Sequence, residues 1–217
     1  MSIENLSGRQ LGKYQLKALL GVGGMGAVYQ AYQTDLRRYV AVKVLPPAFA
    51  QETGYAERFD REARTAASLE HAHIVPVYDY GVENGITYVV MRLLTGGSLV
   101  DRLQERQKNN LPLPSLREIA DILKQLASAL DYAHSQGIVH RDTKASNVMF
   151  DNQGNAFLVD FGIAKLVNAT NALTSLTTAG AAMGTPSYMA PEQWRDEEIT
   201  GAADQYALGV MTYAMVT

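Results

Sequence analysis

Short apolar runs of strand length, set apart by turn residues, dominate the first part of the chain. Residues 14–20 and 27–32 are rich in side chains that suit strands and flank a cluster of glycines, which reads as a hairpin around a Gly-rich turn. Residues 39–45 read as a third strand, stopped by Pro46-Pro47. Residues 55–69 carry helical periodicity with mixed charge. Two further strands are expected over 74–80 and 86–93, around a turn at Glu83-Asn84-Gly85. Residues 1–12 read as a loose lead-in.

After Thr95-Gly96-Gly97 the pattern lengthens. Residues 98–106 and 115–135 read as helices, the second opened by a Ser-x-x-Glu box from Ser115 to Glu118 and stopped near Gly137. The apolar runs 148–150 and 156–159 bracket a turn, and 202–217 reads as a buried helix. Residues 168–178 are polar and Thr-rich, without apolar periodicity, and read as a flexible loop. The class is α+β: a β-rich part, 1–94, and a mainly helical part, 95–217. The composition shift at 94–97 reads as a hinge, and ligands favour such junctions.

Composition narrows the function classes. The 217 residues are 47% hydrophobic and 19% charged, with net charge −3, ordinary for a soluble domain. Such a mild charge gives no reason to expect nucleic acid or an anionic membrane as partner. The absence of cysteine excludes disulfides and thiolate metal sites and fits a cytoplasmic setting. There is no signal-like N-terminus and no apolar run of about 18 residues, so no membrane segment is expected.

Gly21-Val22-Gly23-Gly24-Met25-Gly26 alone is a weak signal. A Rossmann turn needs a helix next, whereas Val28-Tyr29 suit a strand; a Walker A loop needs Gly-Lys-Ser/Thr, which is absent. Lys43, on an apolar strand, needs an anionic partner, because an unpaired buried ammonium is costly. The periodic stretch that follows offers Glu57 and Glu62.

The order Gly21 to Val28, Val40-Ala41-Val42-Lys43, His140-Arg141-Asp142-Thr143-Lys144-Ala145-Ser146-Asn147, Asp160-Phe161-Gly162 and Ala190-Pro191-Glu192 resembles the protein kinase family. The resemblance is closest to bacterial eukaryotic-like serine/threonine kinases. It implies a two-lobed fold with an incomplete C-lobe, ATP and Mg²⁺ as cofactors, and a protein Ser/Thr hydroxyl as acceptor. Asp142 would be the base and Lys144 would neutralise phosphoryl charge. Lys43, paired with Glu62, would hold the α- and β-phosphates, and Asn147 and Asp160 would hold Mg²⁺. Gly21, Gly23, Gly24 and Gly26 would cradle phosphates. Leu20, Val28, Ala41 and Met149 would sandwich adenine, with Met91 as gatekeeper and Arg92 and Leu94 offering hinge backbone. Thr185 would contact the base and Lys144. Arg141 suggests control by activation-loop phosphorylation, with Thr177 and Thr178, then Thr174, as phosphosites. Asp204 would brace the catalytic loop.

Thr143 and Ala145 depart from the family's apolar residue and proline, which predicts altered loop packing rather than inactivity. His71, His73 and His134 read as structural. Family members continue beyond the point matching Thr217, so Leu208, Val210, Met211, Tyr213 and Met215 are expected as an exposed patch. The resemblance also allows self-association, or pairing with a full-length kinase. A nucleotide-binding or interaction module without transferase activity is the alternative reading.

Overall fold

The computed structural model describes residues 5–23, 26–45, 55–161, 186–195 and 197–217. They fall into two compact units, one built from residues up to Ser68 with Pro76–Leu93, the other from Leu69–Val75 and the residues from Leu94 on. The division is thus not a single cut after residue 94.

Among the described residues the first unit holds six strands in the order β1-β2-β3-β4-β6-β5, all neighbours antiparallel. These are β1 (Gln10–Leu11), β2 (Tyr14–Gly23), β3 (Gly26–Gln33), β4 (Arg38–Val44), β5 (Val77–Glu83) and β6 (Ile86–Met91), with α1 (Tyr55–Ala67) between β4 and β5. Period-two side-chain alternation sorts the sheet into two faces. Tyr29, Ala31, Val40, Val42, Val44 and Val90 fill one core. Val28, Ala41, Lys43 and Met91 share the other face, because Val28 lies opposite Lys43 and Ala41 opposite Met91.

Two expectations change here. The lead-in is not loose from Asn5 on: Leu6 and Leu11 are buried, Leu6 N–H donates to the Tyr29 hydroxyl, and Gly8 N–H donates to Leu16 O. Two apolar anchors spaced along a short segment were enough to dock it on the sheet. The strand expected at 74–80 runs instead over Val77–Glu83. Ile74 and Val75 belong to the second unit, where Val75 N–H donates to Leu158 O, and Pro76 follows as a break.

The second unit is built on α3 (Leu116–Ser135), with α2 (Leu99–Lys108), the hairpin β7 (Val148–Phe150) and β8 (Ala156–Leu158), the short α4 (Pro191–Trp194) and α5 (Gly201–Val216). Ile119, Ile122, Leu126 and Leu130 of α3 recur at helical spacing and meet Val148, Phe150, Leu158 and Met211 in one core. The box at the start of α3 is half realised. Ser115 Oγ accepts Glu118 N–H, but the Glu118 carboxylate is taken bidentately by Arg106 at 2.9 and 3.0 Å. A charge-assisted pair outcompetes a bond to a neutral backbone amide. In α5, Met211 and Met215 are buried, which corrects the expected exposed patch; Tyr213 alone of the five is largely exposed.

Candidate active site

The loop between α3 and β7 is organised by its backbone. His140 is 1% exposed, its ring packed edge-on against Phe161 at 4.5 Å. Its Nε2 donates to Val159 O at 2.9 Å, and its Nδ1 accepts Asp142 N–H at 3.3 Å. One imidazole therefore ties the segment before Asp160 to the backbone of Asp142. The Val159 N–H completes the tie by donating to Asn147 O.

The side chains converge in the same place. Lys144 Nζ donates to both Asp142 carboxylate oxygens, at 2.9 and 2.8 Å. Asn147 Nδ2 donates to Asp142 O at 2.8 Å and to Asp142 Oδ2 at 3.1 Å. A short 3₁₀ turn, Ala145–Asn147, brings Asn147 back over the aspartate five positions earlier. Buried Ala145 opens that turn where the resemblance leads one to expect proline. With its amide donor spent on Asp142, Asn147 presents its carbonyl oxygen. Asp160 follows Val159 directly and has φ +68°, in the left-handed region.

Asp204, 1% exposed at the start of α5, braces this loop as expected. Its carboxylate accepts the His140 and Arg141 N–H groups at 2.8 and 2.9 Å. Two partners were not foreseen. Thr143 is 2% exposed and its hydroxyl donates to Asp204 Oδ1 at 3.1 Å, so the residue that breaks the family pattern adds a polar tie. His134 Nε2 donates to Asp204 Oδ2 at 2.8 Å. Gly201 makes room for that imidazole: a Cβ there would lie 2.6 Å from its ring. A polar residue in the last turn of α3, three residues before the stop at Gly137, was the available signal for His134.

Gln193 was also missed. Its Oε1 accepts Ala190 N–H at 3.0 Å and its Nε2 donates to Arg141 O at 2.9 Å. The residue follows directly on Ala190-Pro191-Glu192, which drew attention away from it.

In the first unit, Lys43 and Glu62 are both buried, at 4% and 5% exposure. The Glu62 carboxylate meets Arg61 Nη2 at 3.3 Å. Gly21 lies opposite Val28 and Gly23 opposite Gly26, so the glycine turn and the Lys43 face are in register. Met91 is buried at the end of β6, while Leu20 is 53% exposed beside an irregularity in the β2–β3 ladder. Arg92 N–H donates to Pro76 O, so of its two backbone groups the amide is already engaged. Met149 and Leu94 are half-buried residues of the second unit. Gly24, Thr174, Thr177, Thr178 and Thr185 lie outside the described residues.

Comparison with known proteins agrees with this geometry. Residues 14–217 match the protein kinase domain family. Over 201 residues the chain is 44% identical to the serine/threonine-protein kinase PknD of Mycobacterium tuberculosis, covering 93% of this chain and 29% of that protein. Over 210 residues it is 42% identical to PknH of Mycobacterium bovis, covering 97% of this chain and 34% of that protein. The chain thus spans about a third of the length of these relatives. The crystal structure of the Mycobacterium tuberculosis PknI kinase domain superposes with a TM-score of 0.75 at 31% identity, over 96% of this chain and 76% of that one. With the motifs assembled around Asp142 and a family match running almost end to end, this chain belongs to the protein kinase family, on its bacterial serine/threonine branch.

Proposed function

We propose that the chain transfers the γ-phosphoryl group of Mg-ATP to serine or threonine hydroxyls of a protein, with Asp142 as general base. The observation that carries this reading is the Asp142–Lys144–Asn147 cluster. A carboxylate held by a lysine and an amide is placed to accept a hydroxyl proton while the cation balances nearby negative charge. Bound Mg-ATP supplies the phosphoryl group and the metal charge.

The residues present fit that cofactor. Among the described residues no group of three or more His, Cys, Asp or Glu is placed to hold a metal. The donors on offer are the Asn147 carbonyl and the Asp160 carboxylate, hard oxygens that suit Mg²⁺ when phosphate and water fill its remaining positions. Lys43, on the sheet face with Val28, Ala41 and Met91, serves the phosphates, with Glu62 of α1 as its anionic partner and the apolar residues against the base. Lys144, two places after the base, favours Ser/Thr acceptors.

Control by phosphorylation of the Thr-rich stretch completes the proposal. Arg141 supports it: its Nε is buried and has no hydrogen-bond partner among the described residues, a donor suited to a phosphate. A cytoplasmic location fits these substrates.

The test is the intact mass of residues 1–217 after incubation with Mg-ATP, with Asp142→Asn alongside. Phosphate on the parent and none on the variant is the expected result, with sites mapped between residues 166 and 184. A folded parent that gains no phosphate, on itself or on a generic protein substrate, overturns the transferase reading.

A further inference from the structure

The peptide group that precedes the base is held at both ends. Arg141 has φ +68°, a conformation that costs a bulky L-residue and that the backbone relaxes if released. The Arg141 carbonyl and the Asp142 N–H belong to one planar peptide unit. The N–H end meets His140 Nδ1 at 3.3 Å, a long bond. The carbonyl end receives Gln193 Nε2 at 2.9 Å, the shorter hold of the two. The next carbonyl, that of Asp142 itself, receives Asn147 Nδ2 at 2.8 Å. Both carbonyls flanking the base thus end on a side-chain amide, one from its own loop and one from α4.

The other end of Gln193 is fixed as well. Its Oε1 accepts Ala190 N–H at 3.0 Å and so caps α4. The amide cannot be turned around, because one neighbour is a donor and the other an acceptor. Gln193 also lines a small cleft with Arg141, Asp142, Tyr188 and Asp204. A displacement of Ala190 or of α4 therefore reaches the Arg141–Asp142 peptide through one side-chain amide.

We propose that Gln193 is a positioning residue for the phosphoryl-transfer reaction: its amide locks the Arg141–Asp142 peptide and couples the orientation of the base to the start of α4. The proposal rests on the reading of Asp142 as base. It adds a link between the segment that ends in Ala190-Pro191-Glu192 and the catalytic carboxylate. Movement of that segment on phosphorylation or substrate docking then alters the aim of the base rather than its chemistry. Phosphoryl transfer to a hydroxyl is sensitive to such aim, since small misplacements of reacting groups cost rate steeply.

Gln193→Glu is the decisive variant. It keeps the length and an acceptor for Ala190 N–H but offers the Arg141 carbonyl no donor at neutral pH. The expected kinetic result is a kcat reduced about ten- to a hundredfold, with KM for ATP unchanged. Hydrogen exchange, which needs no activity, is expected to quicken about tenfold at the Arg141 and Asp142 amides. It is expected to stay at the parent rate over residues 192–195. Gln193→Met, which removes both bonds at similar length, replaces it if the glutamate variant does not fold. A kcat within about twofold of the parent together with unchanged exchange at residues 141–142 overturns the proposal. A parent with no Asp142-dependent transfer overturns the base assignment instead, and the exchange rates then decide by themselves whether Gln193 holds the peptide.

Discussion

Asp204→Asn tests whether the loop around Asp142 is held by charge or merely by fit. The carboxylate takes four hydrogen bonds, from His140 N–H, Arg141 N–H, Thr143 Oγ1 and His134 Nε2, at 2.8, 2.9, 3.1 and 2.8 Å. An asparagine keeps the shape and one acceptor oxygen. Its amide group must then face two of the four donors. His134 can accept from it by changing tautomer, but the buried His140 N–H cannot, so one backbone donor loses its partner. Converting charge-assisted bonds to neutral ones costs about 1 kcal/mol each, and an orphaned buried N–H about 1–3 kcal/mol. Because the four bonds share two oxygens, the costs do not simply add, and about 3–5 kcal/mol is expected. That is a large share of the roughly 5–15 kcal/mol that holds a domain together. Thr143→Val, which deletes one bond without changing volume much, is expected to cost about 1 kcal/mol. Urea unfolding followed by Trp194 fluorescence measures both, since Trp194 is the single tryptophan and lies in the second unit. An Asp204→Asn loss below about 1 kcal/mol, or one no larger than that of Thr143→Val, refutes the reasoning.

Gly26→Ala is expected to cost about 3–5 kcal/mol and to abolish nucleotide-dependent stabilisation, because Gly26 has φ +119° and a Cβ there runs into the Val44 carbonyl; thermal unfolding with and without an ATP analogue reads both. Burial, with His73 close by, holds His71 below the ordinary imidazole range. The unfolded state then binds the extra proton first, so stability falls as pH drops from above the free value of 6.5 toward the lower folded value. His71→Gln is expected to flatten that slope in urea midpoints taken between about pH 5 and 8, and an unchanged slope counts against it. The Tyr80 hydroxyl, 2.6 Å from Asp60 Oδ1, is the main influence holding the Asp60 carboxyl below its usual range, with Arg64 second. Tyr80→Phe is expected to move the Asp60 titration upward in carbon-detected NMR; a fixed titration assigns the shift to Arg64.

The family of this protein was legible in its order of residues. Glycines before a strand, a lysine on that strand's neighbour, and aspartate, lysine and asparagine at short spacing are local patterns, and a short loop can assemble them from their own sequence separation. Asp142, Lys144 and Asn147 meet because a single 3₁₀ turn suffices to bring them together. The faces of the sheet were legible too, since a period of two puts Val28, Ala41 and Lys43 together once the strands pair.

Tertiary structure alone decided which distant polar groups share a partner. Asp204 meets His134, 70 residues away, and Gln193 meets the Arg141 carbonyl, 52 residues away. No periodicity encodes such bonds. A buried carboxylate or amide must find donors and acceptors wherever the packed chain brings them, and that geometry exists only after α3, α4 and α5 have docked. The same holds for Leu6 and Leu11, whose burial depends on a sheet face formed by residues further along the chain, and for Glu118, diverted from its helix cap by an arginine of another helix. Sequence pointed to Asp142, Lys144 and Asn147 because their spacing is local; the fold chose what holds them because satisfying buried polar atoms is a property of the whole packed unit.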